Sequence, residues 1–166
     1  MTYTRAFTLL ETLVAVSVLL MSLLGPFSIA QQSLKSAYYA RDQVTAFYLA
    51  QEGVEFVRAV RDQNYLQGAD WLEGIGDACT NVACIVDYPN FTYTVCPQGV
   101  CPPLKVSATG GLYNHTSGTD SPFTRYIMLT PSTSNPEQMI VSVTLQWKSA
   151  GVSRSFTIQE RLFDWL

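Results

Sequence analysis

Phe7-Thr8-Leu9-Leu10-Glu11-Thr12-Leu13-Val14-Ala15-Val16-Ser17-Val18-Leu19-Leu20-Met21-Ser22-Leu23-Leu24-Gly25-Pro26-Phe27-Ser28-Ile29-Ala30 is a stretch of 24 residues whose only charge is Glu11. About 20 apolar residues in a helix span the hydrocarbon core of a bilayer, so this stretch is long enough to cross one. Before it stands Met1-Thr2-Tyr3-Thr4-Arg5-Ala6, with one positive side chain; after it no charge appears until Lys35. Arg5 and the amino terminus favour a cytoplasmic hexapeptide and an external remainder.

The rest of the composition agrees with a membrane segment. Of 166 residues, 48% are apolar and 14% charged, where an ordinary soluble domain carries about 25% charge. The length suits one domain with an appendage and excludes a large multidomain enzyme. A net charge of -3, with no run of Lys or Arg, argues against a nucleic-acid partner held through its phosphates.

Three readings compete for the apolar stretch. It is a plain anchor, a cleaved secretory signal ending at Ser28-Ile29-Ala30, or a segment in which Glu11 has a job. A carboxylate at the centre of a membrane helix costs roughly 2.5–3.5 kcal/mol on insertion scales, and intramembrane charges usually mark function. The alternative is a glutamate near the interface that reaches water.

Arg5-Ala6-Phe7-Thr8-Leu9-Leu10-Glu11, followed by Thr12-Leu13-Val14-Ala15-Val16, resembles the prepilin signal of type IV pilins and pseudopilins. The resemblance implies cleavage between Ala6 and Phe7 by a prepilin peptidase, N-methylation of Phe7, and an assembly role for Glu11. The family usually has Gly before the cut, where this chain has Ala6. Four residues of helix separate Glu11 from the new Phe7 amine by about 6 Å. In a filament, a neighbour's amine would neutralise the carboxylate and favour correct axial register.

Leu34 to Gln63 reads as helix: it lacks Pro, holds a single Gly (Gly53) and is rich in Ala, Gln and Glu. Ala40, Val44, Phe47 and Val54 form one apolar face, and Leu49, Phe56 and Val60 another. Arg58 and Arg61 suit the C-terminal end of the macrodipole. The stretch from Ala50 to Asp62 is similar to the helix end of minor pilins of the PilV type. Gly25-Pro26 marks a helix kink, since Pro removes one backbone hydrogen bond. A helix continuing past Ala30 weakens the secretory-signal reading.

From Asn64 to Asn90 the texture is that of a long loop. Short strands are expected at Phe91–Cys96, Leu104–Val106 and Phe123–Leu129, with a loop over Ser107–Pro122. Val141, Val143, Leu145 and Trp147 alternate with polar residues, as do Val152, Arg154, Phe156 and Ile158. A turn at Ala150-Gly151 sets Leu145 against Phe156, Val143 against Ile158, and Trp147 against Arg154 as a cation–π pair. The fold class is therefore α+β: a long N-terminal helix, its first half transmembrane, packed on a C-terminal antiparallel sheet, as in the pilin-like fold. The organisation is a leader at 1–6, an assembly half of the helix at 7–30, its exposed half at 31–63 and a globular domain at 64–166.

Cys79, Cys84, Cys96 and Cys101 fall on the external side, where disulfides are favoured over metal. Three connectivities are open, and the two local pairs are the expectation. No catalytic constellation emerges. The single histidine, His115, reads as a solvated loop residue, and Asp70, Asp77, Asp87 and Asp120 lack metal-ligand spacing. Two N-glycosylation triplets begin at Asn90 and Asn114. The expected function is non-enzymatic and needs no cofactor or metal. It is a minor pilin or pseudopilin of a type IV pilus or type II secretion-like filament, residing in the inner membrane with its domain outside. Its partners would be other pilins, the prepilin peptidase and the inner-membrane assembly platform. A membrane-anchored binding or adhesion module, using loops around Trp71 and Tyr113, is the alternative.

Overall fold

The computed structural model describes residues 8–108 and 110–164. The first helix, α1, spans Leu9–Gln67. It passes through Gly25-Pro26 and Ser28–Ala30 without interruption and ends one turn beyond Gln63. Gly68 stops it. With φ of 70°, Gly68 takes the left-handed conformation that closes helices, while Ala69 N–H donates to the Asn64 carbonyl at 3.0 Å and Gly68 N–H to Tyr65 at 3.1 Å. These bonds satisfy carbonyls that the end of a helix leaves bare. Contacts divide the chain into two compact units, one up to Arg41 and one from Asp42 onward.

In the second unit, the expected loop from Asn64 to Asn90 contains a short helix, α2 (Ile75–Cys79), and a strand, β1 (Cys84–Asp87). Strand β1 has neighbours on both sides, β2 (Thr92–Val95) and β6 (Phe123–Pro131). A strand between two others has no free edge, and Cys84 and Val86 are completely buried. Four residues of this kind carry too short a pattern to be distinguished from loop. The main sheet has the order β2-β1-β6-β7-β8, with β7 at Gln138–Ser149 and β8 at Val152–Phe163. Every neighbouring pair is antiparallel.

The β7–β8 hairpin has the expected register. Leu145 faces Phe156, Val143 faces Ile158 and Trp147 faces Arg154. Ala150 and Gly151 both have positive φ, at 50° and 81°, as a two-residue turn matched to the right-handed strand twist requires. The expected loop over Ser107–Pro122 holds two short strands, β4 (Tyr113–Asn114) and β5 (Thr119–Asp120). Both flank β3 (Lys105–Val106) in a second, small sheet.

Within this unit, the part of α1 beyond Arg41 packs on the sheet. Ala46, Ala50, Gly53, Val57 and Val60 recur at helical spacing and are buried. The inner face of the sheet supplies Ile127, Leu129, Val141, Val143 and Leu145, all completely buried. Small residues at the crossing bring the helix close: a Cβ added at Gly53 would lie 2.8 Å from Val143 Cγ1. Of the two expected apolar faces, Leu49, Phe56 and Val60 are in the core. On the other face Val54 is buried as well, whereas Val44 and Phe47 remain exposed and Ala40 lies outside this unit. The helix wall facing the sheet is set by its smallest side chains, which an inspection for large apolar residues passes over.

Candidate functional site: the apolar helix segment and the polar centre of the domain

The first unit begins with a helix cap. Thr8 Oγ1 accepts a hydrogen bond from Glu11 N–H at 3.3 Å, and Thr12 N–H reaches the Thr8 carbonyl at 3.2 Å. Thr8-x-x-Glu11 is the sequence form of a capping box, and a carboxylate in the first turn suits the positive end of the helix macrodipole. Glu11 is exposed in the first turn of the described helix, not at the helix centre. Ala6 and Phe7, the expected cleavage pair, lie outside the described residues, as does Arg5.

Beyond the cap, large apolar side chains are exposed on every side of the helix. Leu9 is 82% exposed, and even Val14 is 50% exposed. Four hydroxyls in this segment are satisfied by the helix itself. Hydroxyls of Thr12, Ser17, Ser22 and Ser28 donate to the carbonyls of Leu9, Val14, Leu19 and Gly25 at 2.7–2.8 Å. Turned back on the helix in this way, a hydroxyl does not oppose transfer into lipid. Near its N-terminus α1 is long and apolar enough to cross a membrane. Gly25 has open space around it.

The second unit contains a polar centre that sequence reading missed. Arg125 sits on β6 in phase with Phe123, Ile127 and Leu129, and it is completely buried with them. Its Nη1 donates to the Leu49 carbonyl at 3.0 Å and to Glu52 Oε1 at 2.8 Å, and its Nη2 to the Val86 carbonyl at 2.9 Å. One guanidinium thus ties α1, β1 and β6 together. A fixed fork of donors is suited to several acceptors at once, which a lysine is not. The sequence did carry a signal, an arginine occupying a core position of an alternating strand.

Asp87 is also buried. Its Oδ2 accepts from Asn90 Nδ2 at 3.0 Å and from the His115 backbone N–H at 3.1 Å. Asn114 Oδ1 in turn accepts from the N–H groups of Thr116 and Ser117 at 2.9 and 2.8 Å. Both glycosylation-triplet asparagines are therefore engaged internally. His115 is not a solvated surface residue. Both of its ring nitrogens are enclosed without a hydrogen-bond partner, and its pKa is lowered from 6.5 to about 4. Burial is the largest cause; the charge of Arg125 adds to it, Asp87 opposes it, and Lys105 lowers it further.

The disulfides pair locally, Cys79 with Cys84 and Cys96 with Cys101. The first pair closes the chain between α2 and β1. The second closes a tight turn through Pro97–Gly99, where Gln98 and Gly99 both have positive φ. Among the described residues, no group of three His, Cys, Asp or Glu is placed to hold a metal ion. Asp70 and Asp77 line a surface depression with Trp71, Glu73 and Met139, whereas Asp120 lies on β5.

No protein-family model, curated protein or solved structure matches this chain.

Proposed function

We propose that this chain is a structural subunit of a type IV pilus-like or type II secretion-like filament. In this reading it is anchored in the inner membrane by the first half of α1, cleaved between Ala6 and Phe7, and assembled by helix packing. The observation that carries the reading is the segment from Leu9 to Leu34. Its large side chains are exposed all round, and its single carboxylate stands in the first turn. A helix apolar on every side requires lipid or other helices as its surroundings. A charge at its extreme end suits pairing with the new amine of a neighbouring subunit. The same helix then enters a disulfide-closed domain suited to an oxidising exterior.

N-terminal mass spectrometry of protein from host membranes tests the reading. A chain beginning at N-methylated Phe7 is the expected result; an intact Met1 overturns it. Glu11→Gln should leave membrane levels and leader cleavage unchanged while reducing incorporation into sheared filaments at least tenfold. Normal incorporation would remove the carboxylate from the assembly mechanism.

A further inference from the structure

We propose that the segment from Tyr113 to Asp120 is an acid-operated clasp, closed on β1 while the His115 imidazole is neutral and released when it is protonated. The proposal concerns the second unit alone and is independent of how the chain assembles.

The clasp has short ladders. β4 and β5 each pair with only two residues of β3. Apart from these ladders, the His115 backbone N–H bonds to Asp87 Oδ2 at 3.1 Å and Thr116 Oγ1 accepts from Asn90 Nδ2 at 3.2 Å. Tyr113 adds an edge contact with Phe123, with ring centroids 6.0 Å apart. Segments joined to a sheet by two-residue ladders open locally at a fraction of the global unfolding free energy.

The imidazole occupies the worst place in this segment for a positive charge. Neither ring nitrogen has a partner, so in the closed form no bond already in place offsets the loss of water around an added proton. Arg125 on β6 is a completely buried cation, and Lys105 on β3, itself only half-buried, adds a second positive charge. Asp87 on β1 is the one anion that favours the imidazolium. Its Oδ2 already takes two N–H bonds, and its Oδ1 is enclosed without a partner and makes no bond to the ring. Glu52 on α1 is engaged by Arg125. Opening carries the imidazolium into water and so relieves the conflict.

The sign follows from proton linkage. The open form binds the proton with an ordinary pKa and the closed form with one of about 4, so the open form holds more protons between these values. Closure is at full strength above about pH 6.5, weakens as pH falls through that window, and loses the whole contribution below about 4. A fall from 6.5 to about 4 caps the change in opening at about 300-fold. Because the ring is only partly buried, screening reduces this to roughly ten- to a hundred-fold.

The chain has one histidine, so its ring signal is unambiguous by NMR in the full chain in detergent micelles. The expected titration midpoint lies well below 6.5. Between pH 7 and pH 4, exchange protection of the His115 and Ser107 amides should fall roughly ten- to a hundred-fold after correction for intrinsic rates. The amides of β7 should keep theirs. In His115→Gln and His115→Phe, clasp protection should be flat over this range. A midpoint near 6.5 overturns the proposal. So does an equal loss of protection in both variants, which would assign the effect to the Asp87 carboxylate. Loss throughout β6 and β7 would show global unfolding instead, and overturn it too.

Discussion

The two halves of α1 share one backbone geometry and make opposite demands on their surroundings. From Leu9 to Arg41 the helix shows no sided pattern, and its large residues are exposed in every direction. From Asp42 to Val60 the helix is sided, with a stripe of small side chains buried along with Leu49 and Phe56. Secondary structure does not separate these segments; side-chain size and polarity do. Leu, Val and Met on all faces call for a uniformly apolar medium. Ala46, Ala50 and Gly53 on one face call for a particular surface that comes close. The inner half also has polar latches: Arg125 bonds to Leu49 and Glu52, and Ser149 Oγ donates to Asp42 Oδ2 at 3.0 Å. In the outer half, the hydroxyls of Thr12, Ser17, Ser22 and Ser28 bond instead to carbonyls of their own helix.

From that contrast, the largest single effect is expected of Arg125→Met. Removing the guanidinium leaves the Leu49 and Val86 carbonyls without its donors and Glu52 without its partner. Loss of one member of a buried network of this kind destabilises by about 3–5 kcal/mol. Urea unfolding followed through tryptophan fluorescence in micelles should show the loss, and Arg125→Lys should recover only a minor part. A loss under about 1 kcal/mol would mean that apolar packing alone holds the inner half.

The two glycines of the helix sharpen the comparison. At Gly53 an added methyl would approach Val143 Cγ1 to 2.8 Å. Overpacking by about 1–3 kcal/mol then outweighs the gain of about 1 kcal/mol that Ala brings to a helix. Gly53→Ala should therefore destabilise the domain by about 1 kcal/mol, and Gly53→Val by more. At Gly25 nothing lies within 4 Å, so Gly25→Ala should leave the domain's urea midpoint unchanged. A fall in filament incorporation with Gly25→Ala would place a neighbouring helix against that position.

Legibility in the sequence followed the same division. The apolar stretch was readable because its signal is one of composition, and the β7–β8 hairpin because twelve-residue strands repeat their alternation many times. The helix end was misplaced by a turn because the stop signal, Gly68, lies beyond four residues that look equally at home in a loop. Strand β1 was hidden by shortness and by neighbours on both sides. Arg125 and His115 were missed for a further reason. Their burial depends on Leu49, Val86 and Asp87, which are distant in sequence and brought together only by the sheet order. Glu11 was legible as an anomaly, but its position in the first turn depended on Thr8 acting as the cap.

The smallest expected effect concerns a second arginine, and it tests whether burial or ion pairing makes a latch. Arg58 lies on the inner half of α1 and bridges two carboxylates, Glu55 one turn earlier at 2.6 Å and Glu160 on β8. Its pKa is raised chiefly by the hydrogen bond with Glu160, with burial opposing. It is charged at neutral pH in either case, so the shift adds no pH dependence there. Its side chain is 38% exposed, where that of Arg125 is completely buried. Water and salt therefore screen the bridge, and exposed pairs contribute about 0.2–1 kcal/mol. Arg58→Met keeps much of the aliphatic stem that lies along the helix, so it removes mainly the charge. The urea midpoints of Arg58→Met and the parent chain should differ slightly at about 0.05 M NaCl. They should converge at about 1 M, where the screening length is near 3 Å. A large loss that salt does not reduce would make the contact between α1 and β8 a second buried-type latch. The inner half would then be held along its whole length by ion pairs, and the small-residue stripe would be only one of its constraints.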